Sequence, residues 1–310
     1  MDNNELISQI NVLKRQKNAV ILAHYYQVPE VQDIADFIGD SLALAQYAEK
    51  TEADVIVLAG VYFMAETAKI INPKKKVLIP DPEAGCSLAD SCNPKDFAGF
   101  KKKYPEAVVV SYVNTSAEIK ALTDIVCTSS NAVKVVNSIP KGKQIIFAPD
   151  RNLGNYLSNV TGREMIIWDG ACHVHEEFSL EKIVKLKDEN EDARLICHPE
   201  CKKPIQILSD FIGSTAAMLD YVQKSSHKKF IVATEPGILH QMQKSCPDKV
   251  LIPAPPIDST CGCNDCKFMK LITLEKIYRS LKEDIFEVNI DNELADKARM
   301  SIERMLNLSK

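Results

Sequence analysis

The 310-residue chain carries a formal net charge of −4, with 26% charged and 45% hydrophobic residues. That length is ample for a large buried core and more than one lobe, and the charge offers no basic field for gripping nucleic acid or an anionic membrane. No apolar run approaches the roughly 20 residues that span a bilayer, and Met1-Asp2-Asn3-Asn4-Glu5 lacks the basic and apolar blocks of a signal peptide, so a cytoplasmic location is expected. In a reducing compartment the ten cysteines read as metal ligands, catalytic groups or small core residues rather than a disulfide framework.

Residues 5–17 predict an amphipathic helix with Leu6, Ile10 and Leu13 on its apolar face. A buried strand at 19–23 ends at His24, Tyr25, Tyr26 and Gln27. The segment Asp36-Phe37-Ile38-Gly39-Asp40-Ser41 then introduces a helix over 42–50 with Ser41 as its N-cap. A strand at 54–58, a helix at 63–71 and a strand at 76–80 lead to Gly85-Cys86-Ser87. The same order recurs: a strand at 107–112, a cap segment at 124–129, a strand at 144–148, a helix at 152–160, and a buried strand at 164–168 leading to Gly170-Ala171-Cys172-His173-Val174-His175. A third copy runs through strands at 194–198 and 230–234, a cap segment at 210–215, a helix at 237–244 and a strand at 249–253, ending at Cys261-Gly262-Cys263-Asn264-Asp265-Cys266. Helices at 271–281 and 292–308 then close the surface.

Ser41 and Ser129 are separated by 88 residues, Ser129 and Thr215 by 86, and Cys86 and Cys172 by 86, and the cap segments share Asp-Phe-Ile-Gly in the first and third copies. This pattern predicts an α/β protein of three similar α/β/α domains with small parallel sheets, arranged pseudo-threefold around a central site. The boundaries are 1–88, 89–176, 177–270 and a C-terminal helical segment at 271–310.

Ligands bind beyond the carboxyl ends of parallel strands, and polar residues fall there: His24 and Tyr26, Tyr112 and Asn114, His198 and Glu200, with Ser41, Ser129 and Thr215 at the caps. Helix N-termini and hydroxyls around one cavity suit a substrate bearing carboxylates or phosphate. Each hydroxyl is also explained as a plain cap, and each tyrosine as a core aromatic with a wet hydroxyl. Cys127 and Cys197 sit in apolar runs and read as core; Cys92, Cys201 and Cys246 have no paired spacing. Cys86, Cys172 and one cysteine of the last group occupy matching ends of the repeat. Three thiolates suit either a zinc site completed by His173 or His175 or an iron-sulfur cube with one iron open to substrate.

The chain resembles quinolinate synthase, the NadA family, over essentially its whole length. The resemblance rests on Ala23-His24-Tyr25-Tyr26-Gln27, Gly39-Asp40-Ser41, Gly85-Cys86-Ser87-Leu88-Ala89, Tyr112-Val113-Asn114-Thr115, Cys127-Thr128-Ser129-Ser130-Asn131-Ala132, the segment 168–175, His198-Pro199-Glu200-Cys201, Gly213-Ser214-Thr215 and Thr234-Glu235-Pro236-Gly237. It implies condensation of iminoaspartate with dihydroxyacetone phosphate to quinolinate, phosphate and water, a step toward NAD. It also implies a [4Fe-4S] cluster held by one cysteine from each domain: Cys86, Cys172 and, by motif, Cys266. Repeat spacing alone favours Cys261 in the third place. The resemblance makes His24, Ser41, Tyr112, Asn114, Ser129, His198, Glu200 and Thr215 candidates for substrate binding. Glu200, Tyr26, Tyr112, His24 and His175 are candidates for proton transfer, with Glu200 the principal acid-base group. L-aspartate oxidase or aspartate dehydrogenase would supply the iminoaspartate. The competing readings are a zinc-dependent lyase or aldolase using Cys172, His173 and His175, and an iron-sulfur redox sensor.

Overall fold

The structure is a computed structural model that describes residues 2–258 and 264–310. Among the described residues, twelve strands form three parallel sheets. The first contains β1 (Ala19–His24), β2 (Phe37–Gly39), β3 (Val55–Ala59) and β4 (Lys76–Leu78). The second contains β5 (Val108–Tyr112), β6 (Ile125–Cys127), β7 (Ile145–Ala148) and β8 (Ile166–Ile167). The third contains β9 (Arg194–Cys197), β10 (Phe211–Ile212), β11 (Lys229–Ala233) and β12 (Val250–Pro253). The strand orders are β2-β1-β3-β4, β6-β5-β7-β8 and β10-β9-β11-β12. The fold class read from the repeat is therefore observed: α/β, with three small parallel sheets of one topology. In each sheet the chain leaves its first strand to one side and returns on the other, which opens a crevice at the carboxyl ends of the two central strands.

The repeat extends to side chains. Asp36, Asp124 and Asp210 stand at equivalent positions just before the second strand of each sheet. Each aspartate accepts a backbone hydrogen bond from the first strand: from Ile21 at 2.7 Å, Val109 at 2.8 Å and Leu195 at 2.8 Å. A second set, Gln32, Lys120 and Gln206, is buried and donates to carbonyls of the loop that follows the first strand. Gln32 donates to Tyr25 and Gln27 at 3.0 and 2.8 Å, Gln206 to Pro199 and Cys201 at 2.8 and 2.7 Å, and Lys120 to Thr115. These ties hold three strand-end loops in one conformation.

Four details depart from the sequence reading. The segments expected only to introduce helices contain the edge strands β2, β6 and β10, which are too short to show an alternating pattern. Ser41 and Thr215 are not N-caps: Asp40 caps the helix Ser41–Lys50 by accepting from Ala43, and Ser214 caps Thr215–Lys224 by accepting from Ala217. Ser129 also lies outside that role, because Asn131 begins the helix Ala132–Ser138. The strand expected at 164–168 is only Ile166–Ile167 and half-buried, since it lies at a sheet edge.

The helices Leu274–Glu283 and Asn292–Leu308 do more than cover the surface. Ile277, Leu281, Ala298, Ile302, Met305 and Leu306 belong to one apolar core with residues of the first two sheets. The third sheet has separate cores on its two faces. Cys127 and Cys197 are buried core residues. Among the described residues no helix is long and apolar enough to cross a membrane. Ile302 is fully buried, so Ile302→Ala is expected to cost about 2–5 kcal/mol, measured by denaturant unfolding; a loss below about 0.5 kcal/mol would show that this helix is peripheral.

Candidate active site

The loops after β1, β5 and β9 meet at the carboxyl ends of the three sheets and line one cavity of about 690 Å³ of empty space counted to its mouth. His24, Tyr26, Ser41, Tyr112, Asn114, Ser129, His175, His198, Glu200, Thr215, Cys86, Cys172 and Cys266 all contribute to its wall. Because the helix caps are Asp40 and Ser214, the hydroxyls of Ser41 and Thr215 are free of the capping bond and sit in the first helical turn at the cavity wall. The capping side chains converge behind them: Ser130 Oγ donates to Asp40 Oδ2 and accepts from Ser214 Oγ at 2.8 Å. One hydroxyl thus joins a residue from each lobe.

Glu200 is the electrostatic centre. Its Oε2 lies 3.1 Å from His198 Nδ1 and 3.2 Å from His175 Nδ1. The two imidazoles stack with centroids 4.9 Å apart. Burial would push the Glu200 carboxyl up, but the two histidines outweigh it and hold the acid below the ordinary carboxylate range. His198 is pulled down by burial, with Glu200 opposing. His198 Nδ1 lies between the Glu200 carboxylate and the Glu200 backbone N–H, which approaches it at 3.4 Å, and its Nε2 meets Ser129 Oγ at 3.1 Å, with donor and acceptor set by the tautomer. His175 Nε2 meets Thr234 Oγ1 at 3.0 Å.

His24 occupies the equivalent strand end to His198 but, among the described residues, pairs with no carboxylate, Glu200 acting on it only from a distance. Its Nδ1 accepts from the Tyr26 backbone at 3.2 Å, which puts its proton on Nε2. Burial, then the His198 and Lys270 charges, pulls it down to about 3. Burial pushes the phenols of Tyr26 and Tyr112 well above their usual range, so both remain proton donors. Tyr26 Oη meets Thr215 Oγ1 at 2.9 Å and Thr234 Oγ1 at 2.7 Å, linking the first lobe to the third. Three buried polar atoms of wall residues, Glu200 Oε1, Asn114 Oδ1 and His175 Nδ1, have no hydrogen-bond partner among the described residues. Such orphans cost about 1–3 kcal/mol each and mark places where a hydrogen bond to a ligand is favourable.

Cys86, Cys172 and Cys266 carry free thiols in the same wall. Each begins a short turn whose backbone amides favour the thiolate, Ala89 and Leu88 at Cys86, His175 at Cys172, and Met269 and Phe268 at Cys266, against the larger effect of burial. Burial pushes Cys86 up to about 12, with charge repulsion from Cys266 adding to it, and pushes Cys172 and Cys266 up likewise. Three sulfurs that oppose one another's ionisation, each with amides ready to stabilise a thiolate, form a donor set that a cationic group would satisfy. A different set has its donor atoms within 4.8 Å of one another: Cys172, His175 and Glu200. His173, expected in a zinc triad, is not in it, because its Nδ1 is bonded to Ser87 Oγ at 2.7 Å. Cys261 and Cys263 lie outside the described residues.

The sequence reading missed Asp40, Ser130, Ser214, Asp150 and Glu235 as site residues. Glu235 is fully buried, lines the cavity and pairs with Lys270 at 2.7 Å. Burial, opposed by Lys270, raises its carboxyl to about 7. Its signal was present in Thr234-Glu235-Pro236-Gly237, where the glycine is required: a Cβ on Gly237 would lie 2.8 Å from the Tyr26 backbone.

Polar strand ends and cysteine turns from three sheets, closed on one cavity, define an α/β enzyme acting on a small molecule. A family model described as Quinolinate synthetase A protein matches residues 8–307. The quinolinate synthases of Microcystis aeruginosa and Trichormus variabilis are each 59% identical over 305 residues, covering 98% of this chain and 95% and 94% of theirs. That of Chloroherpeton thalassium is 56% identical over 306 residues, covering 99% of this chain and 95% of its own. The chain belongs to the quinolinate synthase (NadA) family.

The neutral, buried His24 makes a pH prediction. The unfolded chain binds a proton at this histidine below pH 6.5, whereas the folded chain refuses it until about pH 3, so its contribution to stability is full above 6.5 and lost as pH falls between those values. Metal-free protein should lose unfolding free energy on acidification more steeply than His24→Gln, by up to about 1.4 kcal/mol per pH unit. Equal slopes in chemical-denaturation series would contradict the buried, neutral state.

Proposed function

We propose that this enzyme is a quinolinate synthase that condenses iminoaspartate with dihydroxyacetone phosphate to quinolinate, phosphate and water, in NAD biosynthesis. The observation that carries the reading is one cavity lined by three free cysteines and by hydroxyl, imidazole and amide groups suited to anions, in a chain matched by the family along its length. In this reading Cys86, Cys172 and Cys266 hold a [4Fe-4S] cluster, and when bound its open iron supplies Lewis acidity toward a substrate oxygen and so assists loss of water. The division into domains at 1–88, 89–176 and 177–270 with a C-terminal segment at 271–310, their pseudo-threefold arrangement, and a cytoplasmic location belong to the same proposal. L-aspartate oxidase or aspartate dehydrogenase is the proposed source of iminoaspartate.

The residues divide the work by their protonation. Ser41, Ser129, Thr215, Asn114 and His198 hold the carboxylates or phosphate, helped by the positive ends of the helices Ser41–Lys50 and Thr215–Lys224. His24 stays neutral and donates from Nε2. Tyr26 and Tyr112 donate as phenols. Glu200, kept ionised by its imidazoles, takes a proton from carbon or nitrogen during tautomerisation. It returns the proton to a leaving hydroxyl, with His175 beside it as the second carrier.

The set Cys172, His175 and Glu200 supports a second reading, a zinc-dependent lyase, since three donors within 4.8 Å match one ion. That reading leaves Cys86 and Cys266 without a role. A redox sensor built on the cluster has no use for the polar strand ends. Protein purified without oxygen should contain iron and acid-labile sulfide; zinc without sulfide would favour the lyase. Glu200→Gln should keep the cluster's visible absorption and lose about 10²–10⁴-fold in turnover, and near-normal turnover would remove Glu200 from the proton-transfer role.

A further inference from the structure

Asp150 and Glu235 occupy the same place in two lobes. Asp150 lies two residues past the end of β7 (Ile145–Ala148), and Glu235 two past the end of β11 (Lys229–Ala233). Both are 0% exposed. Asp150 Oδ2 accepts the backbone N–H of Cys172 at 3.2 Å, and Glu235 Oε1 accepts that of Cys266 at 3.3 Å. Their other oxygens hold the start of the following helix: Asp150 Oδ1 takes the N–H of Leu153 and Glu235 Oε2 that of Gly237, each at 2.7 Å. Each carboxylate therefore bridges a strand end to the cysteine turn of its own lobe.

Burying a carboxyl group is costly: burial pushes Asp150 well above the ordinary carboxylate range and Glu235 up to about 7, and an apolar residue there would be cheaper. The first lobe shows what happens when the acid is not needed. The equivalent position, two past the end of β3 (Val55–Ala59), is Val61. There the main chain makes the link, with Tyr62 N–H donating to the Ala84 carbonyl at 2.7 Å, two residues before Cys86. Helix capping explains the Leu153 bond of Asp150 but not its second oxygen. It does not explain Glu235, because the helix Ile238–Ser245 begins from Gly237.

We propose that Asp150 and Glu235 are positioning residues that fix the backbone of the cysteine turns, so that Cys172 and Cys266 present their sulfurs to the cavity. The N–H that each carboxyl holds fixes the peptide plane before that cysteine and hence the direction of its Cα–Cβ bond, which carries the sulfur toward the cavity. Lys270 reinforces the third lobe, pairing with Glu235 at 2.7 Å and donating to the Tyr26 carbonyl at 2.8 Å, so the same brace also seats Tyr26. The inference rests on the reading of these cysteines as ligands, but it is tested on their thiols directly.

In metal-free protein, site-resolved alkylation with iodoacetamide read by peptide mass spectrometry should show Cys266 altered several-fold in rate by Glu235→Ala while Cys86 and Cys172 keep theirs. Asp150→Ala should alter Cys172 alone. Glu235→Gln and Asp150→Asn retain a carbonyl acceptor and should restore near-native rates. In cluster-loaded protein, the alanine variants should release iron to a chelator about 10-fold faster. Unchanged rates, or a uniform change at all three cysteines, would overturn the proposal. Should an alanine variant fail to fold, amide hydrogen exchange on the native chain decides: the Cys172 and Cys266 amides must be protected, and exchange at open-loop rates would refute the brace. A chain that binds zinc instead of a cluster would sink the proposed cofactor and leave these thiol readouts intact.

Discussion

Ser130 Oγ, bonded to Asp40 and to Ser214, is the point on which the site depends, because it joins one side chain from each lobe beside the helix starts that reach the cavity. No sheet of four short strands encloses a substrate by itself. Three such sheets do so when their carboxyl ends are held against a common point, and a hydroxyl that both donates and accepts is the smallest group that ties three elements together. Asp40 and Ser214 are also helix caps, so the junction fixes the helix starts from which Ser41 and Thr215 reach the cavity.

Burial then decides the chemistry of the groups gathered there. Away from water, the same desolvation pulls His24 down, pushes both tyrosines up, and opposes ionisation of all three thiols. Glu200 escapes this trend because two imidazoles flank it within 3.2 Å. The result is one ionised acid among neutral donors, an arrangement suited to moving protons without admitting bulk solvent.

The repeat explains how the three lobes share a frame yet differ in chemistry. Asp36, Asp124 and Asp210 do one structural task identically. Gln32, Lys120 and Gln206 do another with different side chains, since any long buried donor satisfies the loop carbonyls. At the strand tips themselves the residues diverge, with Tyr26, Asn114 and Glu200 in equivalent places. Frame positions are held by geometry that each lobe must satisfy alone, whereas tip positions face a shared cavity and take on separate roles.

The sequence by itself determined the fold class, the three copies, the strand ends that carry His24, Tyr26, Tyr112, Asn114, His198 and Glu200, and the cysteine turns at Cys86 and Cys172. These were legible because apolar periodicity and repeat offsets are local properties of the chain. At the third turn the motif points to Cys266 and the repeat offset to Cys261; Cys266 lines the cavity, and Cys261 lies outside the described residues. Only tertiary structure decided that Asp40, Ser130 and Ser214 meet, that Glu200 lies between His175 and His198, that His173 turns to Ser87, and that Asp150 and Glu235 hold the amides of Cys172 and Cys266. Each of those contacts joins residues from different elements, most of them far apart in the chain. Their distances are set by how sheets and loops pack against one another, a property that no spacing along the sequence encodes.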